Sequence, residues 1–393
     1  MATLVFDWEW TAPFSRLGIA AHYSHALILV RCRNAPIEQV TIPIADQRIE
    51  GTAIENALSA GACHLRDRIL LGGDDREAAA TLPSATVAVC TRDRPDDLQR
   101  CLEGILDLDG PEHEVLVIDN CPSDDRTEAL VRAMPRVRYL REPVAGLNHA
   151  RNRALREASG EVVVFIDDDA VPDRHWLTAH LANYIQPIVL CVTGLTVPLE
   201  LEHPSQEEFE QYSSFIRGFE RRVFDPMRDD PLTPGAIGAG VNMSVRRSLV
   251  ETVGGFDGAL DAGTVTKSGG DHEMYSRILG AGYRIVYEPR AINRHRHRNS
   301  PDELEKAIEG YGTGAYAAMT RALLVDGEFG VFRIAWLWFR HAQAKAILRA
   351  LLRRGPEVDR RMIRAEIRGC LRGPWAYLRS VRNIRRRKLL RYG

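Results

Sequence analysis

Three consecutive carboxylates, Asp167, Asp168 and Asp169, close the apolar run Val162 to Ile166 in the stretch "VVVFIDDDAVPDRHWL". Acids packed together repel one another unless a positive charge compensates them. Hard divalent cations such as Mg2+ or Mn2+ take oxygen ligands, commonly one or two carboxylates, with phosphate oxygens and water completing the shell. On an extended strand Asp167 and Asp169 project to one side and Asp168 to the other, so one run addresses two sides of a site. A second reading needs no metal: the acids flank the N-terminus of a helix around "PDRHWLTAHL", where carboxylates favour the positive end of the dipole.

The elements that must position these acids alternate in type. "ATVAVCT", "HEVLVIDN", "RVRYLRE" and "EVVVFIDDD" read as strands, and "RPDDLQRCLEGILDL", "RTEALVRAM" and "GLNHARNRALREA" read as helices between them. The first of these helices places Leu98, Cys101, Leu102, Ile105 and Leu106 on one face. A β-α-β-α-β-α-β order predicts an α/β fold with a doubly wound, mostly parallel sheet, in which ligands sit beyond the carboxyl ends of the strands. Thr91 and Arg92, Asp119 and Asn120, Glu142, and Asp167 to Asp169 stand at those ends. Neither GxGxxG nor GxxxxGK[ST] follows the first strand, so a nucleotide would be held in some other way.

The 393 residues are 45% hydrophobic and 27% charged, enough for a sizeable core divided among one to three domains. A formal net charge of -1 gives no global reason to expect a nucleic-acid partner. Seven scattered cysteines without a CxxC pair or zinc-like spacing read as free thiols in a reducing compartment. The start "MATLVFDWEWTAPF" lacks a basic segment followed by an apolar one, and no run approaches the ~18 apolar residues that span a bilayer. The expected location is therefore the cytoplasm, at most on the inner face of a membrane. Residues 1–82 read as a small N-terminal α/β appendage, with strands in "HALILVRCR" and "EQVTIPI", a helix from Ala53 to Leu65, and a polar linker "GGDDREAAATLPS".

The ordered set "ATVAVCTRDRPDDLQRCLEGI", "EVLVIDNCPSDDRT", "PVAGLNHARNRAL" and "GEVVVFIDDDAVPDRHWL" resembles the family 2 glycosyltransferases, nucleotide-sugar enzymes of the GT-A fold. "GAGVNMSVRRSLVETVGGFDGALD", "GGDHEMYSRILGAGYRIVYEPRA" and "INRHRHR" resemble that family's acceptor-side half. The resemblance implies an inverting, metal-dependent transfer of a sugar from a nucleotide-diphosphate donor to a hydroxyl acceptor by a GT-A domain over residues 83–300. It implies that Thr91, Arg92 and Asp119 meet the base and ribose, that Asn148 and Arg151 meet the diphosphate, and that Asp167 and Asp168 complete the nucleotide-sugar site. Mn2+ or Mg2+ would be held by this DXD motif through Asp169 and Asp167, joined by His295. Asp271 would be the general base, while Asn242, Glu273 and Arg277 would lie on the acceptor side. The family pattern usually has Glu-Asp where this chain has Gly270 and Asp271, so one carboxylate is missing.

The residues admit other roles as well. Asp119 is also a turn cap, Arg151 an ion-pair partner, Asp271 an N-cap for "HEMYSRILGAG", and His295 part of a solvated basic loop "RHRHR", while the small residues of "GAIGAGVNMSVRR" around Asn242 suit tight packing. Two rival functions follow: a nucleotidyltransferase, disfavoured because "VCTRDRPDDL" is not a glycine-rich loop, and a non-catalytic nucleotide-sugar-binding protein, favoured only by Gly270.

Residues 301–393 read as basic helices. "VFRIAWLWFRHAQAKAILRALLRR" places Phe332, Trp336, Phe339, Ile347 and Leu351 on a broad apolar face, and "RGPWAYLRSVRNIRRRKLLRYG" adds arginines and aromatics. Such helices suit an anionic membrane surface and hence a lipid-linked acceptor. They suit equally a helical hairpin packed over the catalytic domain. No nucleic-acid recognition motif accompanies the arginines.

Overall fold

The computed structural model describes residues 2–14, 18–72, 81–340, 344 and 360–392. At the N-terminus β1 (Ala2–Glu9), β2 (Tyr23–Cys32) and β3 (Ala35–Pro43) form a three-stranded sheet backed by α1 (Gly51–Ala57) and α2 (Ala60–Leu70). The β2-β3 hairpin turns on Arg33 and Asn34, both at positive φ (49° and 63°), which matches the twist of the strands. Glu9 holds that turn by accepting from both backbone amides, at 2.9 and 3.0 Å. The single helix expected from Ala53 to Leu65 is two helices, because Leu58 is extended and the Ser59 hydroxyl accepts from the Ala62 amide to start α2. Of the expected linker, residues 73–80 lie outside the described residues.

The large sheet contains β4 (Ala85–Thr91), β5 (His113–Asn120), β6 (Val137–Glu142) and β7 (Val162–Asp167), all parallel, joined by α3 (Pro95–Leu106), α4 (Arg126–Arg132) and α5 (Leu147–Glu157). Strands β4 and β7 are nearly continuous apolar runs up to their polar carboxyl ends because helices cover both faces of the sheet. Val87, Val89, Val164 and Ile166 point into one core and Ala88, Val163 and Phe165 into the other. After β7 come β8 (Ala170–Pro172), α6 (Trp176–Leu181), β9 (Val189–Pro198), α7 (Pro204–Ser213), β10 (Arg222–Phe224) and β11 (Asn242–Arg246). Then follow α8 (Leu249–Thr252), α9 (Gly270–Gly280), β12 (Arg284–His295), α10 (Pro301–Arg321), α11 (Val331–Trp338) and α12 (Arg360–Tyr392). The strand order is β10-β12-β9-β11-β7-β4-β5-β6, with β8 on β12. Antiparallel β11 joins the parallel group to the parallel pair β9 and β12. The fold is thus the expected α/β sheet with a small N-terminal sheet and C-terminal helices.

The N-terminal sheet is fixed to the large one. Leu29 packs with Leu195, Val197 and Ile292. Buried Arg31 pairs with Asp7 and with Asp173 (2.8 Å), and Asp7 also meets Arg294 at 2.6 Å.

Asn242, expected on the acceptor side, is instead a plug in this sheet. Register slips between Glu288 and Ile292 of β12, leaving backbone groups that the β9 ladder does not pair. The Asn242 amide nitrogen donates to Leu195 O (3.0 Å) and Ala291 O (2.8 Å), while its oxygen accepts from Trp176 Nε1 (2.8 Å) and lies 2.9 Å from His180 Nε2. Burial lowers the His180 pKa to about 4, so its ring is neutral and donates through Nε2. Replacing Asn242 strands several buried polar groups at about 1–3 kcal/mol each. Asn242→Ala is therefore expected to lose at least about 2 kcal/mol of stability in urea titration.

Candidate active site

The sheet ends its parallel strands on a cavity of about 590 Å³, within the size range of small-molecule sites. Asp167, Asp168, Asp169 and Asp271 all line it. The triple acid does not flank a helix, since β8 follows it at once and α6 begins only at Trp176. Antiparallel pairing of β8 with β12 sets Ala170 opposite His295, which brings the imidazole to the acids.

The three carboxylates are held differently. Asp168 accepts from Thr91 Oγ1 at 2.7 Å and Arg94 Nη1 at 3.2 Å. Asp169 faces Arg94 (3.0 Å), His295 Nε2 (3.2 Å) and Arg298 (3.6 Å). Burial alone would push the Asp169 carboxyl up, but His295, Arg298 and Arg94 hold it well below the usual carboxylate range. Burial, with the charge of Asp169 added, pushes Asp167 and Asp168 up. Ligand atoms of Asp167, Asp169 and His295 lie within 4.8 Å of one another. Two carboxylates and one imidazole suit Mn2+ or Mg2+ by donor chemistry, and a cation there would relieve the repulsion that raises Asp167.

Asp271 occupies the second position of α9, whose N-cap is Gly269, so it does not serve as the cap. Its Oδ2 accepts from the Gly240 amide and its Oδ1 from the His272 amide, both at 2.8 Å. Burial opposes its ionisation, but His272, Arg151 and those two amides outweigh burial and hold its carboxyl below the ordinary range. Arg151 and Asp271 meet across Gly240, where a Cβ would lie 2.8 Å from Arg151 Nη2 and 3.1 Å from Asp271 Oδ2. Arg151 lines the cavity while pairing with Asp261 at 2.9 Å, so it is both wall and ion pair.

The other expected residues divide. Thr91 and Arg92 line the cavity. Asp119 sits beside Thr91 in the sheet, one residue behind the wall formed by Asn120. Tyr139 donates to its Oδ2 at 2.8 Å, and its buried Oδ1 has no hydrogen-bond partner among the described residues. Burial raises its carboxyl despite the tyrosine. Asn148 is fully buried and acts behind Arg151, donating to Asp257 O at 2.9 Å and accepting from Arg151 at 3.3 Å. Glu273 and Arg277, expected near the acceptor, do not line the cavity. They pair with each other at 2.5 Å, Arg277 caps the carbonyls of Val253 and Gly255, and Arg321 ties Glu273 to α10 at 3.0 Å. Side chains that the sequence did not single out complete the wall: Arg94, Arg217, Lys267, Arg298, His272 and Trp338.

Gly270 has a steric cause. A Cβ there would lie 2.3 Å from Asn148 Nδ2 and 2.5 Å from Asp261 Oδ2. Both are short, buried side chains already committed to Asp257 and Arg151.

Residues 86–254 match the sequence profile of Glycosyl transferase family 2. That segment is a family 2 glycosyltransferase domain. The match ends before Asp271 and His295, so their placement rests on the geometry above. Glycosyltransferase AglE of Haloferax volcanii is 26% identical over 235 residues, covering 58% of this chain and 71% of that protein. The pre-mycofactocin glycosyltransferase of Mycobacterium tuberculosis is 30% identical over 223 residues, 54% of this chain, and the alignment spans only 43% of its own length. Among solved structures, the mannosyltransferase PcManGT from Pyrobaculum calidifontis, in complex with GDP-Man and Mn2+, is 21% identical with a TM-score of 0.47, covering 81% of this chain and 82% of that one.

Restoring a carboxylate at position 270 should therefore harm the protein. Gly270→Glu is expected to cost about 1–3 kcal/mol through overpacking, read as a lower melting temperature, and to reduce turnover.

Proposed function

We propose that this glycosyltransferase is inverting and cation-dependent, moving a sugar from a nucleotide-diphosphate donor to a hydroxyl acceptor. The observation that carries the reading is that the Asp167, Asp169 and His295 cluster and the ionised Asp271 share one cavity. Thr91, Arg92 and Asp119 receive the nucleoside, the unpaired Asp119 Oδ1 being an acceptor for a base N–H or a ribose hydroxyl. Arg94, Arg151, Lys267 and Arg298 supply positive charge for the diphosphate. A cation at Asp167, Asp169 and His295 would stabilise negative charge on the departing diphosphate. Asp271 accepts the proton of the attacking hydroxyl; the amides of Gly240 and His272 fix its two oxygens, so it is oriented before the acceptor arrives. With Gly270 explained by sterics, the feature that favoured a non-catalytic protein disappears.

A panel of nucleotide sugars read by thermal shift, with and without Mn2+, tests the donor: binding stabilises the fold by mass action, so one donor should stand out with the metal. Asp271→Asn is expected to keep that shift and to lose about 10²–10⁴-fold in transfer rate. Because the Asp271 carboxyl is held below its ordinary range, it stays deprotonated as pH falls, and acid loss of activity on its account should begin only below about pH 4. A panel with no stabilising donor, or full activity in the Asn variant, would refute the reading.

The acceptor side faces a membrane in this proposal. On α11 Val331 and Ile334 are buried and Trp338 reaches the cavity, whereas Phe332, Trp336 and the following Phe339 are exposed, beside Arg333 and Arg340. On α12 Leu371, Trp375 and Leu378 are exposed among arginines. Ile347 and Leu351 lie outside the described residues. Among the described residues no helix is long and apolar enough to cross a membrane. The proposed contact is with the membrane surface, on the side where a lipid-linked hydroxyl would present itself. Co-sedimentation with anionic phosphatidylglycerol vesicles at low salt should exceed that with neutral vesicles. Phe332→Ser with Trp336→Ser should weaken it by at least about tenfold. Equal recovery with both vesicle types would remove the membrane from the proposal.

A further inference from the structure

Behind His295 runs a line of side chains that sugar transfer itself does not use. His295 Nδ1 lies 3.2 Å from His297 Nδ1, and His297 Nε2 lies 2.6 Å from Glu210 Oε1. Glu210 belongs to α7, and its other oxygen accepts from Ser214 Oγ at 3.0 Å, so the carboxylate is anchored at both ends. The His297 ring rests on Phe209, with centroids 4.3 Å apart, and Phe215 stands beside both imidazoles. These rings leave His297 only 4% exposed and hold it in one orientation.

Two ring nitrogens at hydrogen-bond distance share one proton: one donates and the other accepts. The far end of the line decides which. An ionised carboxylate only accepts, so Glu210 calls for the proton of His297 on Nε2. A neutral His297 then presents Nδ1 as a lone pair, and His295 must donate through its own Nδ1. Its other nitrogen, Nε2, is the atom 3.2 Å from Asp169 Oδ1. With the opposite polarity His295 would carry its proton on Nε2 and could not ligate.

We propose that Glu210 and His297 are positioning residues that fix the His295 ring with its proton on Nδ1, so that Nε2 offers a lone pair to a divalent cation shared with Asp167 and Asp169. The proposal rests on reading those three residues as a cation site. Ligating histidines commonly donate their second N–H to a carboxylate or carbonyl, and here the carboxylate is reached through another imidazole.

The test is Mn2+ titration of the full chain by calorimetry, without donor. Glu210→Leu is expected to weaken Mn2+ binding by about 10–100-fold, the usual effect of losing an outer partner. Glu210→Gln, whose amide oxygen still accepts, should recover most of that loss. Long-range proton-nitrogen NMR of the unaltered chain loaded with Mg2+ should show His295 protonated on Nδ1 and His297 on Nε2. A role in packing alone would lower the melting temperature in EDTA and leave Mn2+ affinity unchanged, and that result in folded Glu210→Leu would overturn the proposal. So would His297 protonated on Nδ1, which the NMR measurement decides even if the leucine variant does not fold. Failure of the unaltered chain to bind Mn2+ would overturn the underlying cation site.

Discussion

Packing three adjacent carboxylates at the end of one strand, Asp168 and Asp169 buried and Asp167 partly so, is the constraint around which this molecule is built. Each ionised acid removed from water costs several kcal/mol unless neighbouring groups replace its hydration. The replacements come from distant parts of the chain. Thr91 and Arg94 lie at the first strand-to-helix turn of the large sheet, and His295 and Arg298 at the end of its last strand. The antiparallel insertion of β11 brings these contributors together, because it lets β9, β12 and β8 close back over the acids. The fold and the electrostatics of the site are therefore one problem with one solution.

Much of this was legible in the sequence, for identifiable reasons. Strands buried on both faces and helices with one apolar face leave strong periodicities, and from β4 to β7 those patterns gave the right elements in the right order. Strand β8 left no pattern, since three residues are too few for one, and the helix suggested by "PDRHWLTAHL" begins later as a result. Strand β1 was missed because its exposure does not alternate cleanly. The split between α1 and α2 hangs on one serine cap.

Site residues were legible where chemistry is concentrated and illegible where it is dispersed. The acids and Asp271 stand in compact motifs, and the structure puts them in one cavity. Asn242, Glu273 and Arg277 stand in equally suggestive motifs, yet their partners are a sheet bulge and neighbouring helices, which no local pattern reveals. Arg94, Arg217 and Arg298 were overlooked for the opposite reason: in a chain with 52 Lys and Arg, an arginine that lines a cavity looks like any other until tertiary structure places it.

The attachment of the N-terminal sheet has a bearing on how small this enzyme can be made. Arg31 is a shared counter-ion for Asp7 on its own sheet and Asp173 just after β8, and Asp7 in turn meets Arg294, the residue before His295. An excised fragment beginning at Ala85 would bare the oily strip of Leu195, Val197 and Ile292 and leave Asp173 without its guanidinium partner. The strand that delivers the imidazole to the acids would lose its outer buttress. Removing the first three strands is therefore expected to loosen the strand that carries His295, although none of their residues lines the cavity.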